Sequence, residues 1–358
     1  MKLRNTVSLF LILALCMGLC ACAGSKAPAN SVSTDTASPT PAEAPSSAEP
    51  PKESEAPAEP EIDSALPVNV MVLNGTTGFG MARLMSDAEK GDAALNYRFS
   101  VETDASNVTA ALINGSADIA ALPTNAASVL YNKTQGGVQL LAVNTLGVLY
   151  LVTDSEKLSI SSLADLEGLT VYVPAQNPTF IFSALCSAVG VNVTIDNSYA
   201  QPADLRTAVA AGEADLAVLP EPMVTIAMSA NEKLSAALDL TAEWDKVYPQ
   251  GSLIQGCVAV RTDFAAQHGA EVRKFLEEYS DSIAFLAADT AEAGELIEQT
   301  GVFTNGKVAA KAIPNCNIVF LSGEDMKKSM SQFLDIMSTI SPASIGGAVP
   351  GEDFYFIP

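Results

Sequence analysis

Ala111-Leu-Ile-Asn-Gly-Ser-Ala-Asp118-Ile-Ala-Ala-Leu-Pro123 and Ala208-Val-Ala-Ala-Gly-Glu-Ala-Asp215-Leu-Ala-Val-Leu-Pro220 are one pattern written twice, 97 residues apart, with seven identities in thirteen positions. In both copies a run of small and aliphatic residues reaches a Gly, the residue that most readily closes a helix in the left-handed conformation. An Ala-Asp step follows, then four apolar residues of strand length, then a Pro suited to starting another helix. Helix–strand–helix is thus encoded twice. Working outward, the first copy reads as strands at 68–73, 97–101 and 118–122, with helices at 78–90, 106–114 and 124–132. The second reads as strands at 169–173, 193–195 and 215–219, with helices at 179–189, 203–211 and 221–230. The units that begin at Val70 and Val171 align at an offset of 101. Alternation of this kind is the mark of α/β architecture.

The chain continues past the second copy. Residues 252–261 form a strong strand candidate. An amphipathic helix is expected at 271–288, with Val272, Leu276, Tyr279, Ile283 and Leu286 on one face. A last helix at 324–340 carries Met326, Met330, Phe333 and Met337 in a stripe, read as core rather than as an adaptable binding surface. Two similar units with a long remainder imply two lobes, each a mostly parallel sheet flanked by helices. Lobe 1 takes residues 67–152 and is completed by 255–358; lobe 2 is the insert 153–254. Two chain crossings, near 147–153 and 252–256, then form a hinge.

Composition excludes several functions. The 358 residues carry 41 acidic and 19 basic side chains, a formal charge of −22. That excludes binding nucleic acid by phosphate neutralisation, and adhesion to anionic lipid through a basic surface. A single histidine, His268, excludes any mechanism that needs two.

The N-terminus reads as an address. Lys2 and Arg4 precede an apolar stretch at 7–19 that is of signal-peptide length and short for a membrane span. Leu19-Cys20-Ala21-Cys22 follows and resembles the lipobox of bacterial lipoproteins. That resemblance implies a signal peptide at 1–21 and a diacylated Cys22. Residues 22–66 then form a stalk: 25–60 hold 8 Ala, 8 Pro, 7 Ser and 5 Glu, too little apolar surface to offset chain entropy. Cys186, Cys257 and Cys316 remain, an odd number that allows one bridge at most. Buried thiols are the default reading, and a Cys257–Cys316 disulfide stays open.

In open α/β sheets ligands bind beyond the carboxyl ends of the strands. The loops there are Asn74-Gly-Thr-Thr-Gly78, Pro123-Thr-Asn125, Asn144-Thr145, Ala175-Gln-Asn-Pro-Thr179 and Pro220-Glu-Pro222. Their side chains are mostly short hydrogen-bonding groups, which helix caps also favour. Convergence from two lobes favours ligand contact for the set. Lobe 1 offers Asn74, Thr76, Thr77, Thr124 and Asn125; Asn144 and Gln255 lie near the hinge; lobe 2 offers Gln176, Asn177, Thr179 and Glu221. None of these loops carries Lys or Arg, and Glu221 adds a carboxylate, which favours a neutral or amine-bearing solute over an anion.

With its lipobox, stalk, doubled lobes and Gly-x-Ala-Asp repeats, the chain resembles the solute-binding lipoproteins of ABC importers. It is similar in particular to the nitrate, sulfonate, taurine and thiamine-precursor binding proteins of the type II periplasmic-binding fold. The resemblance implies a clamp that captures a small polar solute and delivers it to an ABC permease with its ATPase. It further implies a monomer, lipid-anchored at the outer face of the cytoplasmic membrane, with no catalytic residues, metal or cofactor. A surface sensor of the same fold is the alternative. An enzyme is disfavoured: Gly75-x-x-Gly78-x-Gly80 has the wrong order for a dinucleotide loop. His268 suits a helix C-terminus, and the histidine and cysteine motifs of the family's pyrimidine-forming enzymes are lacking.

Overall fold

The repeated glycines act as their position demands. Gly115 and Gly212 both sit at φ +77°, each closing a helix, Ala105–Asn114 and Pro202–Ala211, through a backbone bond to the carbonyl four residues earlier. A side chain there would carry the steric penalty of the left-handed region. In a computed structural model, which describes residues 61–358, this turn feeds the central strand of each of two sheets. The signal peptide, Cys22 and most of the stalk lie outside the described residues.

The strands in chain order are β1 (Pro67–Leu73), β2 (Asn96–Glu102), β3 (Ile119–Pro123), β4 (Val138–Leu146), β5 (Leu149–Asp154), β6 (Thr170–Tyr172), β7 (Thr194–Asp196), β8 (Leu216–Pro220), β9 (Leu234–Asp239), β10 (Ile254–Arg261) and β11 (Ile318–Ser322). The first sheet has the order β11-β4-β10-β3-β1-β2, the second β7-β6-β8-β5-β9. Set beside each other, β2-β1-β3-β10-β4 and β7-β6-β8-β5-β9 are the same arrangement, with β11 added at one edge of the first. In each sheet the first three of these strands are parallel. The fourth runs against both its neighbours. That fourth strand is the exchanged one. The chain leaves the first sheet after β4 and enters the second as β5; it leaves the second after β9 and returns to the first as β10. Each sheet with its flanking helices is one lobe.

The apolar run 138–152 is therefore two strands of different sheets, parted at Gly147–Val148. A Cβ at Gly147 would clash with Thr241 Oγ1 and lie 2.6 Å from Leu253 Cδ2, so the crossing passes too close to lobe 2 for any side chain. The second crossing is held from the other side, where the buried Trp244 indole donates to Ser252 Oγ at 2.9 Å.

The helix expected at 78–90 is two, Thr76–Phe79 and Ala82–Lys90. Ser282 of the long helix Gly269–Ala288 enters the break, donating to the Gly80 carbonyl at 2.5 Å and accepting from the Leu84 N–H at 3.1 Å. Bonds lost by the interruption are thus restored from another element. Met326, Met330, Phe333 and Met337 of the helix Gly323–Ile340 are fully buried beneath the first sheet, so the methionine stripe is core. Among the described residues no helix is long and apolar enough to cross a membrane.

Candidate ligand cleft

The carboxyl ends of β3, β4, β8 and β9 lie beside the two crossings, and β1 and β6 run parallel to β3 and β8 in the same direction. The tightest knot lies at Val148. Its N–H donates to Gln255 Oε1 at 2.7 Å, and its carbonyl accepts the Glu221 N–H at 2.9 Å. Gln255 follows directly on Ile254, whose carbonyl accepts the Thr124 hydroxyl at 2.9 Å. Thr124, Gln255 and Glu221 are thereby joined through both crossings.

Several expected ligand residues have their side chains engaged by protein. Asn144 is buried; its amide donates to the Thr77 carbonyl and to Tyr279 Oη, both at 2.9 Å, and its oxygen accepts from Thr145 at 3.0 Å. This network seats the Thr76–Phe79 turn against β4. Thr179 donates to the Pro174 carbonyl and accepts from Asn197, both at 2.8 Å, a bracing within lobe 2. Asn74, Thr76, Thr77 and Asn125 are half-buried on the lobe 1 side. Gln176 is exposed at φ +65°, a conformation costly for a residue with a Cβ.

Two features single out lobe 2. Asn177 Oδ1, at the start of the helix Asn177–Val189, is buried and accepts no hydrogen bond. An orphaned buried acceptor costs about 1–3 kcal/mol, and an incoming N–H would relieve it. Glu221 is also buried; Oε2 accepts the Thr225 N–H at 3.1 Å and Oε1 the Thr225 hydroxyl at 3.0 Å. Removal from water raises its pKa against these bonds, against Asn315 and against the charge of Lys311, all of which favour the carboxylate. Its carboxylate is thus both a cap for the helix Met223–Ala230 and a buried negative charge beside the crossing.

Tyr150, Lys311, Asn315 and Asn317 are neighbours that sequence reading missed. Asn315 donates to Glu221 Oε1 at 3.5 Å, and its carbonyl accepts from Tyr150 Oη at 2.9 Å. Three of the four belong to the C-terminal remainder, nearly a hundred residues from Glu221, and no local motif marks them. Among the described residues no three His, Cys, Asp or Glu side chains are grouped to hold a metal ion.

The sequence model of the NMT1/THI5-like family matches residues 91–293, more than half of the chain. The chain belongs to the NMT1/THI5-like family. Solved structures share its fold. An ABC transporter protein from Parabacteroides distasonis is 23% identical with a TM-score of 0.69, the match covering 83% of this chain and 99% of that one. The periplasmic aliphatic sulphonate binding protein SsuA of Escherichia coli is 14% identical, TM-score 0.65, over 82% and 92% of the two chains. The alkanesulfonate-binding protein of Xanthomonas axonopodis, bound to MOPS, is 13% identical, TM-score 0.57, over 82% and 96%. No curated protein matches the sequence. The fold of this NMT1/THI5-like chain is that of the periplasmic binding proteins, and the match lies across both of its lobes.

Two outcomes follow for the cleft residues. Thr124→Val removes a buried donor and is expected to cost about 1–3 kcal/mol in chemical denaturation, while the half-buried Asn125→Ala stays within about 0.5 kcal/mol. Equal losses would show that Thr124 and Asn125 have the same role. Glu221 carries a pH signature. Its folded pKa lies above the ordinary 4.5. The folded state therefore holds the proton more tightly, and this contribution to stability declines as pH rises from the ordinary value through the raised one. Thermal melts of wild type and Glu221→Gln are expected to differ progressively in the variant's favour as the pH is raised from the ordinary carboxylate range. A gap independent of pH would contradict the raised pKa.

Proposed function

We propose that the protein is the extracytoplasmic solute-binding component of an ABC importer. It closes two lobes on a small polar solute and presents it to a membrane permease driven by an ATPase. The observation that carries this reading is the exchange of β5 and β10 between two matching sheets, which sets polar strand-end loops of both lobes around one pair of crossings. Membership of the NMT1/THI5-like family and the likeness to periplasmic binding proteins support it. The protein acts without catalysis, as a monomer held at the outer face of the cytoplasmic membrane by a diacylated Cys22 and the stalk that follows it. Two acyl chains suffice for stable anchoring.

The solute offers N–H groups. Asn177 Oδ1 is a buried acceptor without a protein partner, and Glu221 brings a carboxyl group to the same lobe. The sulfonate-binding neighbours favour an anion by analogy, and Lys311, donating to Ser229 Oγ at 3.2 Å, is a cation beside the cleft that the loops themselves lack. One experiment separates the two. A thermal-shift screen sets amines and nitrogen heterocycles against nitrate and sulfonates, since ligand at 1,000 times its dissociation constant adds about 4 kcal/mol. The expected result is a large shift with an N–H-bearing compound that shrinks in Asn177→Ala and in Glu221→Gln. A large shift with nitrate or a sulfonate alone, unchanged in both variants, would overturn the choice of solute. Anchoring is tested by fractionation: Cys22→Ser is expected to release the protein from the envelope, and retention of the variant in detergent-free membranes would refute the lipid anchor.

A further inference from the structure

The two crossings are not the only connection between the lobes. The helix Gly306–Ala312 and the turn Ile313–Asn315 belong to lobe 1, yet they reach across to lobe 2. Lys311 Nζ donates to Ser229 Oγ at 3.2 Å, at the far end of the helix Met223–Ala230. Asn315 takes part twice: its side-chain amide donates to Glu221 Oε1 at 3.5 Å, and its carbonyl accepts from Tyr150 Oη at 2.9 Å. Asn317 Nδ2 donates to the Gly147 carbonyl at 2.6 Å, and its own carbonyl accepts the Leu146 N–H at 3.0 Å. Beneath these polar contacts Met223 and Ile226 of lobe 2 pack against the apolar cluster of lobe 1. The seam thus runs from the first crossing outward along one side of the cleft.

Two crossings by themselves leave the lobes free to bend and to twist about the line that joins them. A third line of contact beside them resists both motions until it breaks. We propose that residues 311–317 are a latch between the lobes. Separating the lobes requires the contacts to Ser229, Glu221 and Tyr150 to part, so the seam sets how often the cleft stands open. The Asn315–Glu221 bond is the long one, and Lys311 and Asn315 are exposed to competing water, so the latch can be undone at modest cost. The Asn317–Gly147 bond involves the crossing itself and need not break. This inference rests on the two-lobe clamp proposed above.

The test uses the mature protein with no solute added. Thr103→Cys, after β2, and Gln201→Cys, after β7, place spin labels on exposed loops at the carboxyl ends of one strand in each lobe. Cys186, Cys257 and Cys316 are buried and leave the introduced thiols as the reactive pair. Distances between the labels are measured by double electron–electron resonance in three backgrounds: otherwise unchanged, Lys311→Ala with Asn315→Ala, and Tyr150→Phe. Loss of one ordinary hydrogen bond moves a two-state ratio about fivefold. The double variant is therefore expected to raise the ratio of long to short distances on the order of tenfold, and Tyr150→Phe by about fivefold. Far-UV circular dichroism confirms that each background is folded, and Tyr150→Phe, which deletes only a hydroxyl, keeps the test available if the double variant is not. Distance distributions identical in every folded background would overturn the latch. That result would leave the solute-binding reading intact, because the thermal-shift screen tests it separately.

Discussion

The peptide of Val148 is the point on which the two lobes depend. It lies where the chain first passes from one sheet to the other, and both of its hydrogen-bonding groups are taken by residues from elsewhere: Gln255 of the returning strand and Glu221 at the end of β8. A buried peptide group left unpaired would be costly, so these partners hold the crossing in one place. Each also carries a candidate ligand group. The first crossing and these candidate ligand groups are consequently joined in one hydrogen-bonded piece of structure.

Strand exchange explains why such a knot is possible. β5 and β10 are equivalent strands, each running antiparallel between two strands of the lobe it enters. An edge strand would leave a lobe free to drift; a strand inserted between two neighbours is bonded along both sides. The lobes are thus firmly joined through their interiors. Gly147 and the Trp244–Ser252 bond show how closely both crossings are packed against lobe 2.

Glu221 concentrates the electrostatic tension of the cleft. Burial favours the protonated carboxyl, whereas Thr225, Asn315 and the more distant Lys311 favour the carboxylate. The group sits at the N-terminus of a helix, where negative charge is stabilised, and beside a seam contributed by the other lobe. Whatever alters the seam alters the environment of that charge, which couples the position of the lobes to the chemistry between them.

Local grammar made the fold readable. The Gly115 and Gly212 stops, the apolar quartets after Asp118 and Asp215, and their spacing are short-range features, and they specify two copies of one α/β unit without reference to the rest of the chain. The identical motif still served two ends: Asp118 is buried against Asn69 and Arg261, while Asp215 is exposed and pairs with Lys157. The candidate loops were legible because strand ends follow from strands. Which of their side chains remain free was not, since Asn144, Thr124 and Thr179 are engaged by Tyr279, Ile254 and Asn197, partners 18 to 135 residues distant. Nor was the break at Gly80, made where Ser282 replaces the missing helix bonds, or the seam, built by Lys311 and Asn315 from beyond the second copy. Periodicity and turn chemistry act over a few residues and are written in the sequence; the pairing of buried polar groups depends on which distant segments arrive beside them, and only the tertiary structure decides that.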